Sequence, residues 1–99
     1  MPKFHLTNKA VEDLSKIWEY TFEVWSQDQA DRYYYDLLSD CQTLAENQFA
    51  GRNYIEIKKE IFGCKSGQHI IFYNITNEYE IEIIRFLHSK MDLQNKIQE

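Results

Sequence analysis

An α+β fold is predicted by three features of this sequence: two long stretches with apolar residues three and four apart, several short stretches with two-residue alternation, and their order. A strand-like start, two helical stretches and then strands alone give β-α-α-β-β-β. In that order an N-terminal strand precedes an antiparallel helical hairpin packed on one face of an antiparallel β-sheet. A short C-terminal helix can close the chain. At 99 residues there is material for one core, so residues 1–99 are read as a single domain.

Lys3-Phe4-His5-Leu6 alternates and stops at Thr7, a capping residue, which makes it an edge strand. Ala10, Val11, Leu14, Ile17, Trp18, Thr21, Phe22 and Trp25 then form one face of a helix from residue 8 to about 25, with Glu12 and Asp13 near its positive end. Ser26 and Gln29 have capping-box spacing, and a second stripe runs through Ala30, Tyr33, Tyr34, Leu37, Leu38, Cys41, Leu44 and Ala45. Helices joined by so little are antiparallel neighbours. The stripes assign Trp18, Phe22, Trp25, Tyr33 and Tyr34 mostly to the core. Tyr35 falls off the stripe and becomes a candidate contact for another protein. Asn47 or Gly51 is expected to end the second helix in the left-handed conformation.

Beyond Gly51 the period shortens. Residues 54–57 and 61–64, interrupted by Lys58-Lys59-Glu60, read as one bent strand or two short ones. Ser66-Gly67 signals a turn, and residues 68–75 are apolar on both faces, as in a central strand. In the last strand Tyr79, Ile81 and Ile83 alternate with Glu80 and Glu82 until Ile84, Phe86 and Leu87 crowd around Arg85. An even-numbered loop before it sets Ile70, Phe72, Tyr79, Ile81, Ile83, Arg85 and Leu87 on one face, under the helices. The other face then carries His69, Ile71, Tyr73, Ile75, Ile84, Phe86 and His88 together with Glu78, Glu80 and Glu82. Only the last ten residues remain to cover that face, so it is expected to meet a partner. A helix capped by Ser89 is expected from Ser89 to Ile97, with fraying over 95–99.

A 43% hydrophobic and 15% aromatic composition argues for a folded chain. No run approaches the roughly 18 to 20 apolar residues of a membrane span, and the N-terminus has no signal core, so a soluble, cytoplasmic protein is expected. Sixteen acids against eleven bases give a net charge of -5, which disfavours electrostatically driven nucleic-acid binding. Cys41 and Cys64 lack ligand spacing and read as small apolar side chains; neither metal nor cofactor is expected.

The residues themselves resemble a known family. Asp13-Leu14-Ser15-Lys16-Ile17-Trp18-Glu19-Tyr20-Thr21, Ala30-Asp31-Arg32-Tyr33, Leu44-Ala45-Glu46-Asn47, Gly51-Arg52, Gly67 to Tyr73, and Ile84-Arg85-Phe86-Leu87-His88-Ser89-Lys90-Met91-Asp92 are similar, in order, to the ParE toxins of the ParE/RelE superfamily. Gln48 and Asn74 depart from the pattern, standing where proline and arginine are usual. The resemblance implies the toxin of a plasmid- or chromosome-borne type II toxin-antitoxin pair, which is not itself an enzyme. It would stall DNA gyrase on cleaved DNA and be neutralised by a ParD-like antitoxin whose C-terminal segment folds against it.

On that reading Arg85, His88, Lys90, Met91 and Asp92 are candidate target contacts, and Tyr35, Ile71, Tyr73, Ile84 and Phe86 candidate antitoxin contacts. The rival is the RelE-like branch, which cuts messenger RNA on the ribosome. His69, Tyr73, His88 and Arg85 are the available parts, but Glu80 and Glu82 are expected on the same face, repelling RNA, with Arg85 on the other. A diverged interaction module without toxicity fits the chain physics equally. Each site residue also has a structural reading: Arg85 paired with an acid of either helix, His88 hydrogen-bonded at a strand end, Met91 and Asp92 packing or capping the last helix.

Overall fold

The structure, a computed structural model, describes residues 1–97. β1 (Lys3–Leu6) leads into α1 (Asn8–Val24) and α2 (Gln27–Glu46). β2 (Arg52–Asn53), β3 (Phe62–Ser66), β4 (His69–Asn77), β5 (Glu80–His88) and α3 (Leu93–Ile97) follow. The strands form one sheet in the order β1-β5-β4-β3-β2, with β1 at the edge, parallel to β5, and the other pairings antiparallel.

Both helix starts follow from their caps. The Thr7 hydroxyl accepts from the Ala10 N–H at 3.1 Å and donates to the Ile84 carbonyl at 2.8 Å, fixing α1 to β5. Ser26 Oγ accepts from the Gln29 N–H at 3.1 Å and starts α2. The end of α2 differs from expectation. Asn47 has φ -141, and the positive-φ residues are Glu60 and Gly67, so the chain leaves the helix without a left-handed residue. Gly67 supplies the positive φ that the β3–β4 turn needs.

Residues 54–60 make turns instead of a strand. The Tyr54 N–H donates to the Ile61 carbonyl, and the Ile57 and Lys58 N–H groups both return to the Tyr54 carbonyl. The segment is a looped strap between β2 and β3. Tyr54 and Ile57 therefore pack onto the sheet face as a cover instead of alternating within the sheet, while Ile55 stays exposed.

The face assignment also changes, and two irregularities in the β4–β5 ladder are the cause, one between Ile75 and Asn77 and one at Ile84. Phe72 lies opposite Arg85 but Tyr73 lies opposite Ile83, so Ile84 is an extra residue in β5. One extra residue reverses the alternation beyond it. His69, Ile71, Phe86 and His88 are still co-facial, as are Ile70, Phe72 and Leu87, but Ile81 and Ile83 now join Ile71 and Tyr73. The helices cover this second group: Ile71, Tyr73, Ile81, Ile83 and Phe86 are buried against Leu14, Leu37, Cys41 and Leu44. Ile70, Phe72 and Leu87, expected under the helices, lie on the reverse face.

That reverse face is not left open. Ile61 from the strap's end and Ile97 of α3 bury it with Ile70, Phe72 and Leu87, while Tyr54, Ile57, Ile84 and Leu93 pack around them. Tyr54 meets Phe72 edge-on at 5.1 Å between ring centres. The expectation that hydrophobic material there awaits another molecule is corrected: the chain's own strap and tail seal most of it. α3 starts four residues later than expected, with Asp92 rather than Ser89 bonded to its first turn; Asp92 Oδ2 accepts from the Asn95 side chain at 2.7 Å. Residues 95–97 are helical, and the rest of the tail expected to fray lies outside the described residues.

Candidate functional site

Two surfaces are built where the sheet runs out. The first is the far half of the helical hairpin. In α1 the buried residues are Ala10 and Leu14 of its first half, and the apolar stripe near the connection to α2 is left exposed or half-buried. Trp25 and Tyr35 are more than two-thirds exposed, at 69% and 67%, and Tyr20 and Phe22 are exposed as well. Phe22 stacks on Trp18 at 5.2 Å, and the Trp18 indole N–H donates to Asp31 Oδ1 at 2.9 Å, locking the two helices together. Helical spacing identified these aromatics correctly as one stripe. Phe22 and Trp25, expected mostly in the core, are exposed.

The second surface is the sheet end, where β4 begins and β5 finishes. Register sets His69 opposite His88, with ring centres 5.4 Å apart. The Tyr33 hydroxyl holds His69: it accepts from the Gln68 N–H at 3.0 Å and lies 3.2 Å from the Ser66 carbonyl and 2.7 Å from His69 Nδ1. With the hydroxyl proton on the Ser66 carbonyl, His69 Nδ1 donates to the tyrosine oxygen. Burial, and next the neighbouring His88, push the His69 imidazole down from 6.5 to about 4, so it is neutral at physiological pH. The Lys90 backbone N–H donates to His88 Nδ1 at 3.2 Å, fixing that ring as well. Both rings line a cleft of about 400 Å³ with Lys16, Tyr20, Lys90 and Met91.

Arg85 holds this end together. Asp13 of α1 takes Arg85 Nε at 2.7 Å and Nη2 at 3.0 Å, while Nη1 donates to the Lys96 carbonyl at 2.8 Å. Asp13 Oδ2 also accepts from the Phe86 N–H at 3.1 Å. β1 has ended by this point, and a helix carboxylate takes the hydrogen bond that a further strand would have taken. Arg85 is only 9% exposed and acts as a clamp between α1, β5 and α3.

The predicted target residues thus separate. Lys90 and Met91 are exposed, His88 is half-buried in the cleft wall, Asp92 is exposed and bonded to α3, and Arg85 is inside. The predicted antitoxin residues separate too. Tyr35 is exposed beside a cleft of about 380 Å³ shared with Trp18 and Tyr34. Ile84 is half-buried and lines a groove of about 620 Å³ on the reverse face with Lys58, Lys59, Asn74 and Thr76. Ile71, Tyr73 and Phe86 are buried under the hairpin, which removes the uncovered face on which they were chosen. Tyr73 is further spent on structure: its hydroxyl donates to the Gln48 carbonyl at 2.7 Å and accepts from the Gly51 N–H.

The parts named for RNA cleavage are redistributed as well. Glu80 and Glu82 lie away from the two imidazoles and both bond His5 of β1, at 2.9 and 3.2 Å. They repel nothing at the cleft. Tyr33, Lys16 and Tyr20, which do line or hold it, carried no sequence signal of that role, because only the packing of α1 and α2 on the sheet brings them to the histidine pair. Among the described residues no helix is long and apolar enough to cross a membrane.

The helical hairpin on a five-stranded sheet with β1 parallel to β5 is a fold shared with chains of solved toxin-antitoxin systems. A chain of the chromosomal ParDE system of P. aeruginosa superposes with a TM-score of 0.77 at 21% identity, covering 89% of this chain and 96% of its own. A chain of the RelBE2 toxin-antitoxin complex of Mycobacterium tuberculosis gives 0.68 at 18%, over 89% and 99%. In sequence, Toxin ParE1 of M. tuberculosis is 32% identical over 95 residues, 96% of this chain and 97% of its own length. Toxin ParE1 of Caulobacter vibrioides is 32% identical over 92 residues, covering 93% and 94%. The family model for the ParE toxin of the type II toxin-antitoxin system parDE matches residues 4–93. The chain belongs to the ParE toxin family.

Proposed function

We propose that this ParE-family toxin inhibits DNA gyrase and is held inactive by a ParD-like antitoxin, without catalysing a reaction of its own. The observation that carries the reading is the family match over residues 4–93, from β1 to the start of α3. The target surface is the segment that leaves β5: Lys90 and Met91 as contacts, the edge of His88 beside them, Asp92 fixing the turn, and Arg85 anchoring it from within. The antitoxin covers the exposed aromatics of the helical hairpin, with Tyr35, Phe22 and Trp25 as anchors, because large apolar groups left in water are what a folding-upon-binding segment can bury. Ile84 offers a second, shallower contact in the reverse-face groove. Action takes place in the cytoplasm, where gyrase and DNA are.

Supercoiling by purified gyrase, with and without this protein, tests the reading: loss of supercoiling with accumulation of cleaved DNA is expected. Lys90→Glu combined with Met91→Ala should abolish that effect while leaving the fold and antitoxin binding intact. Undiminished supercoiling together with message cleavage in a translation extract would instead assign the protein to the nuclease branch.

A further inference from the structure

One cleft has a charge that runs against the balance of the whole chain. The chain carries sixteen acids and eleven bases. Among the described residues, the cleft of about 400 Å³ beside His69 and His88 is nevertheless lined by Lys16 and Lys90 and by no carboxylate. Neither lysine has an ion-pair partner among the described residues. Two neighbouring carboxylates are already spent: Asp13, which lines an adjoining hollow, pairs with Arg85, and Asp92, next along the chain from Met91, accepts from the Asn95 side chain. The rest of the lining includes Ile17, Tyr20 and Met91, and the last two are exposed. A second cleft of about 470 Å³ shares Tyr20, His69 and His88 with the first and extends it to Trp25. The two make one trough, with apolar side chains along it and lysines at the end where the segment 89–92 departs.

We propose that this trough binds an extended, acidic and apolar peptide segment of a protein partner, with a carboxylate side chain at Lys16 and Lys90 and an aliphatic or aromatic neighbour on Ile17, Tyr20 and Met91. That the partner is the toxin's target rests on the assignment of Lys90 and Met91 given above. Two features favour a peptide over a nucleic acid. A phosphate backbone is held by a row of cations, and here two stand beside three apolar side chains. The net charge of -5 repels a polyanion as a whole but matters little to one or two carboxylates set against lysines. Size favours a segment over a small anion, because burying the exposed Tyr20, Trp25 and Met91 is a gain that a free anion cannot make. The apolar contacts supply most of the affinity. The exposed ion pairs contribute little to it and chiefly select the partner.

A blocked hexapeptide alternating glutamate and leucine, titrated into the carbon-13-labelled full chain, tests this. The Met91 methyl and the Lys16 and Lys90 side-chain resonances should move together and saturate. The glutamine–leucine counterpart should bind roughly fivefold more weakly, the worth of two exposed ion pairs. Lys16→Glu should remove that difference, while Lys9→Glu, the same charge change elsewhere on α1, should leave it; both lysines are exposed, so neither change disturbs the core. In the supercoiling assay Lys16→Glu should also weaken inhibition, although it lies outside the segment 89–92. Peptide binding by a wild-type protein that leaves gyrase untouched would support the trough and remove only the target assignment. No movement of Met91 and Lys16 up to millimolar peptide, equal binding of the glutamine counterpart, gyrase inhibition undiminished in Lys16→Glu, or tighter binding of a six-nucleotide single strand than of the acidic peptide would overturn the proposal.

Discussion

The two faces of the sheet are covered in opposite ways. On one side α1 and α2 bury Ile71, Tyr73, Ile81, Ile83 and Phe86 beneath Leu14, Leu37, Cys41 and Leu44, with caps, an interhelical indole hydrogen bond and a buried ion pair holding them. On the other a turn-rich strap and the five-residue α3 cover Ile70, Phe72 and Leu87. A helix that short has no stability of its own and stays only because the sheet and Arg85 keep it. The contrast shows a core built on one side and merely closed on the other, and the segment proposed to meet gyrase belongs to the closure.

The sharpest way to break the contrast is to remove what joins the sides. Asp13→Ala removes the carboxylate shared by Arg85 and the Phe86 N–H and leaves a buried cation without its counter-charge, which costs about 3 to 5 kcal/mol, read from urea unfolding. A matched truncation on each face comes next. Leu37→Ala, fully buried under the helices, should cost about 3 kcal/mol, while Ile97→Ala should cost about 1 kcal/mol because α3 is free to settle into the space. Equal losses would show that the two covers are equally rigid.

A pH titration probes the joint between them. His69 accepts a proton in the unfolded chain near its usual 6.5 but in the folded protein only near 4. The folded state is thus penalised as pH falls through that window: stability drops from about 6.5 downward, and this group's contribution to the loss is complete below about 4. His69→Gln should flatten that part of the stability curve relative to the wild type, measured by thermal unfolding. The smallest stability effect belongs to the exposed aromatics of the hairpin. Trp25→Ser and Tyr35→Ser should each change stability by less than about 0.5 kcal/mol, since both side chains stand in water. In a pull-down the same pair should lose the antitoxin.

Much of this architecture was legible before any coordinates. Thr7 and Ser26 marked both helix starts, and the apolar stripes gave the hairpin, because capping and period are local properties of a few neighbouring side chains. The register shifts at Ile84 and between Ile75 and Asn77 were not legible, since an extra residue in a strand leaves no mark in composition, yet together they put Ile81 and Ile83 on the same face as Tyr73. The strap was misread for a related reason: Tyr54, Ile55 and Ile57 have the chemistry of a strand, and only the hydrogen bonds returning to the Tyr54 carbonyl make them a turn. Of the candidate site, exposure at Tyr35 and at Met91 was anticipated. The burial of Arg85 and the pairing of His69 with His88 beside Tyr33 depend on strand register and hairpin packing, which local spacing does not encode.

The place of β1 has a consequence for how the molecule comes into being. Its four residues pair with positions 80–83, so this strand waits through the synthesis of both helices and three further strands before its neighbour exists. Until residues 80–83 have been added that edge stays unmade, and the nascent polypeptide cannot present the finished fold.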